Sequence, residues 1–231
     1  MRLTLLLFDV DGTLMDAGET GRRAFTRVLE RAGASRHVVD NLRFAGMTDR
    51  AIMRAALEGS SMPADAASVT RFLEGYIDLL RQELSGTGVR HCRLCPGVVD
   101  LLDRLHAVPG VGLGLGTGNV EAGARLKLSA VGLEGRFAFG GFGSDHEDRT
   151  ELVRLAVSRG LEKYRVSREA TRAIVIGDTP RDVAAARGAG AECLAVATGS
   201  FDVATLRDAG ATWAVADLRE PQAMEVLAGA G

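Results

Sequence analysis

Leu3-Thr-Leu-Leu-Leu-Phe8-Asp9-Val-Asp11-Gly12-Thr13-Leu14 is a short, nearly continuous apolar run that stops abruptly on two carboxylates and a glycine. A run of this length with so few polar breaks suits a strand buried on both faces of a parallel sheet. Comparable runs at 111–115, 172–176 and 193–196 each close on Gly, Thr or Asp and then give way to a helical pattern. Strand and helix in alternation predict an α/β chain built on a doubly wound parallel sheet.

Between Glu19 and Cys95 the pattern changes. No convincing strand is visible, and helical stretches are predicted at 48–58 and 64–84. In the second, Val69, Phe72, Leu73, Tyr76, Leu79 and Leu80 recur at three- and four-residue steps, the apolar face of a helix. The expected organisation is a core of residues 1–18 and 96–231 interrupted by an α-helical insertion over 19–95. Pro96 is expected in the first turn of the helix that reopens the core, and the Ala/Gly-rich tail beyond Leu218 is expected to fray. The insertion carries 12 basic against 9 acidic side chains, the right sense for holding an anion against an acidic core.

Composition narrows the function. With 46% hydrophobic and 25% charged residues over 231 positions, the chain can build a core and is not disordered. A net charge of -2 gives no global field for nucleic acid or an anionic membrane, so any anionic ligand needs a local site. No apolar run approaches the roughly 20 residues of a membrane helix, and the first run is too short for a signal peptide core. A soluble, cytoplasmic protein without nucleic-acid or membrane partners is expected. Cys92, Cys95 and Cys193 cannot all pair, and a lone CxxC lacks the further ligands of a zinc site.

Three constellations carry chemistry. Asp9 and Asp11 lie at the carboxyl end of the first strand, where open α/β sheets bind ligands, and Gly12 allows a turn that brings both acids toward one point. Taken alone the pair also reads as a solvated Asp-Gly turn. In Ile174-Val-Ile-Gly177-Asp178-Thr179-Pro180-Arg181-Asp182, a second strand ends on an acid, with Asp182 one turn further on. Carboxylates converging from two strand ends repel one another unless a hard dication such as Mg²⁺ joins them; helix capping by Asp178 or Asp182 is the alternative. In Gly112-Leu-Gly-Leu-Gly116-Thr117-Gly118-Asn119, Thr117 with the Gly118 and Asn119 amides near a helix start could hold phosphate oxygens, or the stretch is a glycine-rich turn. It does not fit GxGxxG, which argues against a dinucleotide.

Taken together, DxDGT after the first strand, a strand-ending threonine in mid-chain and GDTxxD near the end, with a helical insertion after the first motif, resemble the haloacid dehalogenase-like hydrolase superfamily. The insertion is similar to the small cap of its phosphoglycolate phosphatase-like branch. The resemblance spans nearly the whole chain and implies a Rossmann-like core with a helical cap domain. It implies an enzyme, a Mg²⁺-dependent phosphatase of a small phosphorylated metabolite. In that reading Asp9 is the nucleophile that becomes an aspartyl-phosphate, Asp11 the general acid and base, and Thr117 binds the transferring phosphoryl group. Asp9, the Asp11 main-chain carbonyl and Asp178 would hold the metal, supported by Asp182. Gly118 and Asn119 would contact the substrate.

A phosphomutase of the same superfamily would keep every core motif, but its usual cap histidine has no counterpart in 16–21. A halide-removing enzyme would not need Asp11, and a non-catalytic binding protein would most simply lack one of the two acids. The superfamily also places a lysine between the middle and last motifs. Here that stretch reads Gly143-Ser-Asp-His-Glu-Asp-Arg149, so Arg149 is the expected substitute, with Lys127 behind it; Lys127 and Lys163 are the only lysines. An ordinary surface arginine at a helix start explains Arg149 equally simply. Phe44-Ala-Gly-Met-Thr-Asp-Arg50 is the turn expected to face the site, with Arg50 contacting a second anionic group or, alternatively, lying on the surface behind a Thr48 cap.

Overall fold

The opening apolar run becomes a central strand because each of its faces has an apolar layer to enter. The computed structural model describes residues 3–229. In chain order its strands are β1 (Leu3–Phe8), β2 (Met15–Asp16), β3 (Arg93–Leu94), β4 (Val111–Thr117), β5 (Phe139–Phe142), β6 (Thr171–Gly177), β7 (Glu192–Val196) and β8 (Trp213–Val215). The α-helices are α1 (Thr20–Arg31), α2 (Arg36–Asp40), α3 (Asp49–Gly59), α4 (Ala66–Ser85) and α5 (Val98–His106), then α6 (Glu121–Ala130), α7 (Arg149–Tyr164), α8 (Pro180–Gly188), α9 (Val203–Asp208) and α10 (Pro221–Ala228).

Six parallel strands lie in the order β5-β4-β1-β6-β7-β8. Side chains alternate across β1: Leu6 and Phe8 enter a layer with Leu113, Leu115, Ile174 and Ile176 under α5, α6 and α10, while Leu5 and Leu7 enter a second layer with Ala173 and Val175 under α7, α8 and α9. All four β1 side chains are fully buried, each worth about 1.5–3 kcal/mol of apolar transfer. This is the doubly wound α/β sheet read from the sequence.

Register sets the site. Phe8 pairs with Ile176 of β6 and Leu115 of β4, so all three strands end at one level. Asp9 therefore stands beside Gly177, one residue before Asp178, and beside Gly116, one residue before Thr117.

Helices α1, α3 and α4 form their own apolar layer around Phe25, Met53, Leu57, Tyr76 and Leu80, closed below by Val120 and flanked by Leu126 and Ala130 of the core. Thr48 and Asp65 cap α3 and α4 through their side chains.

Four sequence expectations change. Two-residue strands β2 and β3 pair antiparallel where the helical segment leaves and rejoins the core; two residues are too few to show a period. Pro96 precedes α5, which starts after Gly97 at φ 85°, where a Cβ would lie 2.6 Å from the Leu218 carbonyl carbon. The tail does not fray before Ala228, because Ala223 and Leu227 of α10 are fully buried. The basic excess of 19–95 does not gather on an anion site: Arg23 and Arg27 pair with Glu83, Arg54 with Glu147 and Arg81 with Asp78.

Candidate active site

At the shared carboxyl edge of β1, β4 and β6 lies a cavity of about 470 Å³, roofed by α1, the 44–49 segment and Tyr76 of α4. Its floor holds Asp9, Asp11, Asn119, Lys127, Arg149 and Asp178. The N–H of Asp9 continues the β1 ladder by donating to the Ile176 carbonyl (2.9 Å), and its Oδ1 accepts from the Val10 N–H (2.8 Å). Gly12 turns the chain at φ 77°, and a Cβ there would lie 2.3 Å from Asp178 Oδ2; only glycine lets the first motif fold over the second.

Carboxylate oxygens of Asp9, Asp178 and Asp182 all fall within 4.8 Å of one another, and all three residues are buried. Burial, above all, pushes Asp9 up to about 6; Arg149 opposes this and Asp182 adds to it. Burial followed by Asp9 and Asp182 pushes Asp178 up to about 8. A set of hard oxygen donors that strain to stay ionised fits a hard dication such as Mg²⁺.

Asp182 is placed behind this group. Its Oδ2 accepts from the N–H (3.0 Å) and hydroxyl (2.7 Å) of Thr179 in a capping box, and its Oδ1 accepts from Arg149 Nε (2.9 Å). The capping alternative for Asp182 therefore holds alongside its place near the acids. Asp178 caps no helix; Thr179 does.

Arg149 opens α7 and is buried between two acids, with Nη2 2.8 Å from Asp9 Oδ2 and 2.6 Å from Asp182 Oδ1. These are close ion-pair contacts, but neither is aligned with an N–H, so the buried Nη2 lacks a well-directed acceptor. Its charge beside Asp9 suits an oxyanion there. Burial works against the guanidinium's charge, but Asp182 and Asp9 outweigh it and hold Arg149 above the ordinary arginine range.

Lys127 serves the other acid. Its Nζ lies 2.6 Å from both Asp11 Oδ2 and Asn119 Oδ1, while Asn119 Nδ2 donates to Asp11 Oδ2 (2.8 Å) and to Thr117 Oγ1 (2.9 Å). Burial disfavours the ammonium, yet Asp11 and Asp49 outweigh it and raise Lys127 above its ordinary value. The two cations weighed as rivals in the sequence thus stand in one site, Arg149 on Asp9 and Lys127 on Asp11.

The remaining expected residues are placed unevenly. Thr117 is fully buried and hydrogen-bonds toward Asp9, lowering it. Gly118 admits the 44–49 segment: a Cβ there would lie 2.3 Å from the Met47 carbonyl oxygen. Asn119 spends its amide on Asp11 and Lys127. The 44–49 turn faces the cavity as expected, but Arg50 does not; it lies 3.7 Å from Glu147 and lines a separate cleft with Ile77 and Arg125. Asp49, part of that turn but with no role expected of it, lines the site with Tyr76 and Arg22, neither of which was expected there. Asp49 sits at the first turn of a helix, where an acid is ordinary, and nothing local announces that its carboxylate reaches the core.

A proton must leave Asp178, and in part Asp9, before either oxygen can take a cation. Mg²⁺ affinity should therefore rise at least about tenfold from pH 6 to pH 8, measured by calorimetry on the metal-free protein. A flat profile would contradict the crowding of these acids.

Comparison with known proteins shows the family. Residues 6–196 match the family model for haloacid dehalogenase-like hydrolases. A phosphoglycolate phosphatase from Mesorhizobium japonicum is 27% identical over 87% of this chain and 86% of its own, and one from Xanthomonas campestris pv. campestris is 30% identical over 84% and 83%. CbbY from Rhodobacter sphaeroides, solved with xylulose-1,5-bisphosphate, superposes with a TM-score of 0.71 at 21% identity over 95% of this chain and 96% of its own, a likeness of fold.

Proposed function

Because the chain belongs to the haloacid dehalogenase-like hydrolases, we propose that it hydrolyses a small phosphorylated metabolite in a Mg²⁺-dependent reaction through an aspartyl-phosphate on Asp9. Its reaction class is phosphoric monoester hydrolysis, the class of its curated phosphatase relatives. The observation that carries the reading is the division of the floor: a buried Asp9 with Arg149 at 2.8 Å, and two residues on a more open Asp11 held by Lys127 at 2.6 Å.

Asp9 attacks phosphorus while the bond to the leaving oxygen breaks, and Asp11 gives that oxygen a proton. Asp11 then takes a proton from water as the water attacks the aspartyl-phosphate, releasing inorganic phosphate and regenerating Asp9. Arg149, 2.8 Å from Asp9 Oδ2, offsets negative charge where the phosphoryl group meets Asp9, and Thr117 steadies Asp9. Mg²⁺, held by Asp9, Asp178 and the Asp11 carbonyl with Asp182 behind, would supply charge neutralisation between the anionic nucleophile and the anionic ester. Residues 19–95 act as the cap over a core of 1–18 and 96–231, excluding water from the cavity between them.

A panel of phosphate esters assayed with Mg²⁺ tests the reading; chelation should abolish turnover, and failure of every ester would overturn it. Asp11→Asn should keep Mg²⁺ binding, since in this reading only its main-chain oxygen would hold the metal, and lose roughly 10²–10⁴ in rate. Equal loss of metal affinity in Asp9→Asn and Asp11→Asn would contradict this division.

A further inference from the structure

Away from the catalytic acids the cavity has a second polar face, contributed by the helical segment. Asp49, 8% exposed, enters it at the start of α3. Its main-chain N–H donates to the Gly118 carbonyl (2.8 Å) and its Oδ2 accepts from the Val120 N–H (2.8 Å), which bolts the carboxylate to the loop after β4. Oδ1 has no hydrogen-bond partner among the described residues. Nearby, Tyr76 is 1% exposed, and its hydroxyl likewise has none among the described residues. Gly21 keeps the space in front open: a Cβ there would stand 3.7 Å from the Tyr76 hydroxyl and 3.6 Å from Lys127 Nζ.

A carboxylate oxygen that can only accept and a phenol hydroxyl, each held by a buried residue and each open to the cavity, form a polar recognition surface on which Asp49 favours hydrogen-bond donors. The charges say what they exclude. Arg149 pairs with Asp9 and Asp182 at the phosphoryl end, and Lys127, whose Nζ borders the space before Gly21, is held by Asp11 and Asn119. Among the described residues, the one cation left on this face is Arg22, stacked 4.9 Å over the Phe44 ring and 3.9 Å from Glu19, against the acids Asp16, Glu19 and Asp49. A second anionic group on the substrate would meet a like charge in a poorly hydrated space.

We propose that Asp49 is a specificity-determining residue, and that the leaving alcohol carries hydrogen-bond donors and no carboxylate or second phosphate. This deepens the phosphatase reading and rests on it for the identity of the phosphate end. It also sets the chain apart from relatives named for phosphoglycolate, whose second group is a carboxylate.

Three esters of nearly equal size test it: 2-hydroxyethyl phosphate, ethyl phosphate and 2-phosphoglycolate. Binding is measured by calorimetry with Mg²⁺ on the Asp11→Asn protein, which is expected to keep the metal while turnover is slowed. The hydroxyethyl ester should bind at least tenfold more tightly than phosphoglycolate, with ethyl phosphate between them. Adding Asp49→Asn should shrink that ratio to about threefold or less; the three-ester comparison needs no change at Asp49, so it decides the matter even if that variant does not fold. Equal or tighter binding of phosphoglycolate, or no binding of any ester, overturns the proposal. Turnover of a panel of phosphate monoesters by the unmodified protein is read separately. Turnover without the selectivity leaves a phosphatase and removes this inference, whereas selectivity without turnover keeps the inference and removes the phosphatase reading.

Discussion

Replacing Asp9 with asparagine is expected to abolish phosphatase turnover, a loss of roughly 10⁴-fold or more, while the protein stays folded. No neighbour can replace the lost oxygen as nucleophile. Asp178 and Asp182 are the nearest carboxylates, but Asp182 is engaged by Thr179 and Arg149, and Asp178 stands under Gly12 and Gly199, whose Cβ atoms would fall 2.3 and 1.7 Å from its Oδ2. The fold should tolerate the change. Asp9 is raised from 3.8 to about 6, so its ionised form is held against burial, at a cost that builds between about pH 4 and 6 and is fully present above that. A neutral amide of the same shape removes the cost at pH 7–8, while Arg149 keeps Asp182 as its partner. Thermal melting at pH 7.5 should therefore shift by only a few degrees as activity disappears. Near-normal turnover by Asp9→Asn would end the aspartyl-phosphate mechanism.

The parts of this site that were legible in the chain are those whose constraint is local. A strand buried on both faces must be apolar throughout, so the residue at which it stops being apolar marks the sheet edge; that is why Asp9, Thr117 and Asp178 stand out. Pro180 and Arg149 announce helix starts, and both open helices. What stayed hidden depends on partners far along the chain. The purpose of Asp49 lies in Val120, 71 positions later, and the grip of Lys127 on Asp11 spans 116. Arg50 is the converse case. Its letters suit an anion contact as well as those of Arg22 do, and only the rotation of α3 decides that Arg50 turns to Glu147 while Arg22 of α1 faces the cavity. Short pairings such as β2 with β3 carry no period, and α10 is held by Ala223 and Leu227 in a layer built mostly from other parts of the chain.

Arg149→Ala is expected to be the most damaging single change among the basic residues, because it leaves Asp9, Asp178 and Asp182 buried together with no compensating charge. Breaking a buried ion pair from one side costs about 3–5 kcal/mol, so the variant should lose stability as well as activity, and Mg²⁺ should restore part of the melting temperature. Lys127→Ala should act differently. Lys127 touches Asp11 and Asn119 and has no contact with Asp9 among the described residues, so its loss should resemble that of Asp11→Asn, with the rate lowered and Mg²⁺ binding retained. If Lys127 works through Asp11, the double variant Asp11→Asn/Lys127→Ala should be no worse than the poorer single. Arg149→Lys separates charge from shape. The guanidinium reaches Asp182 through both Nε and Nη2 and Asp9 through Nη2, a fork that a single ammonium cannot reproduce, so stability should recover further than kcat/KM does. If Arg149→Ala keeps near-normal kcat/KM while Lys127→Ala loses both turnover and metal binding, the phosphoryl charge is carried by α6, and Arg149 is only the counter-ion that lets three acids share one buried edge.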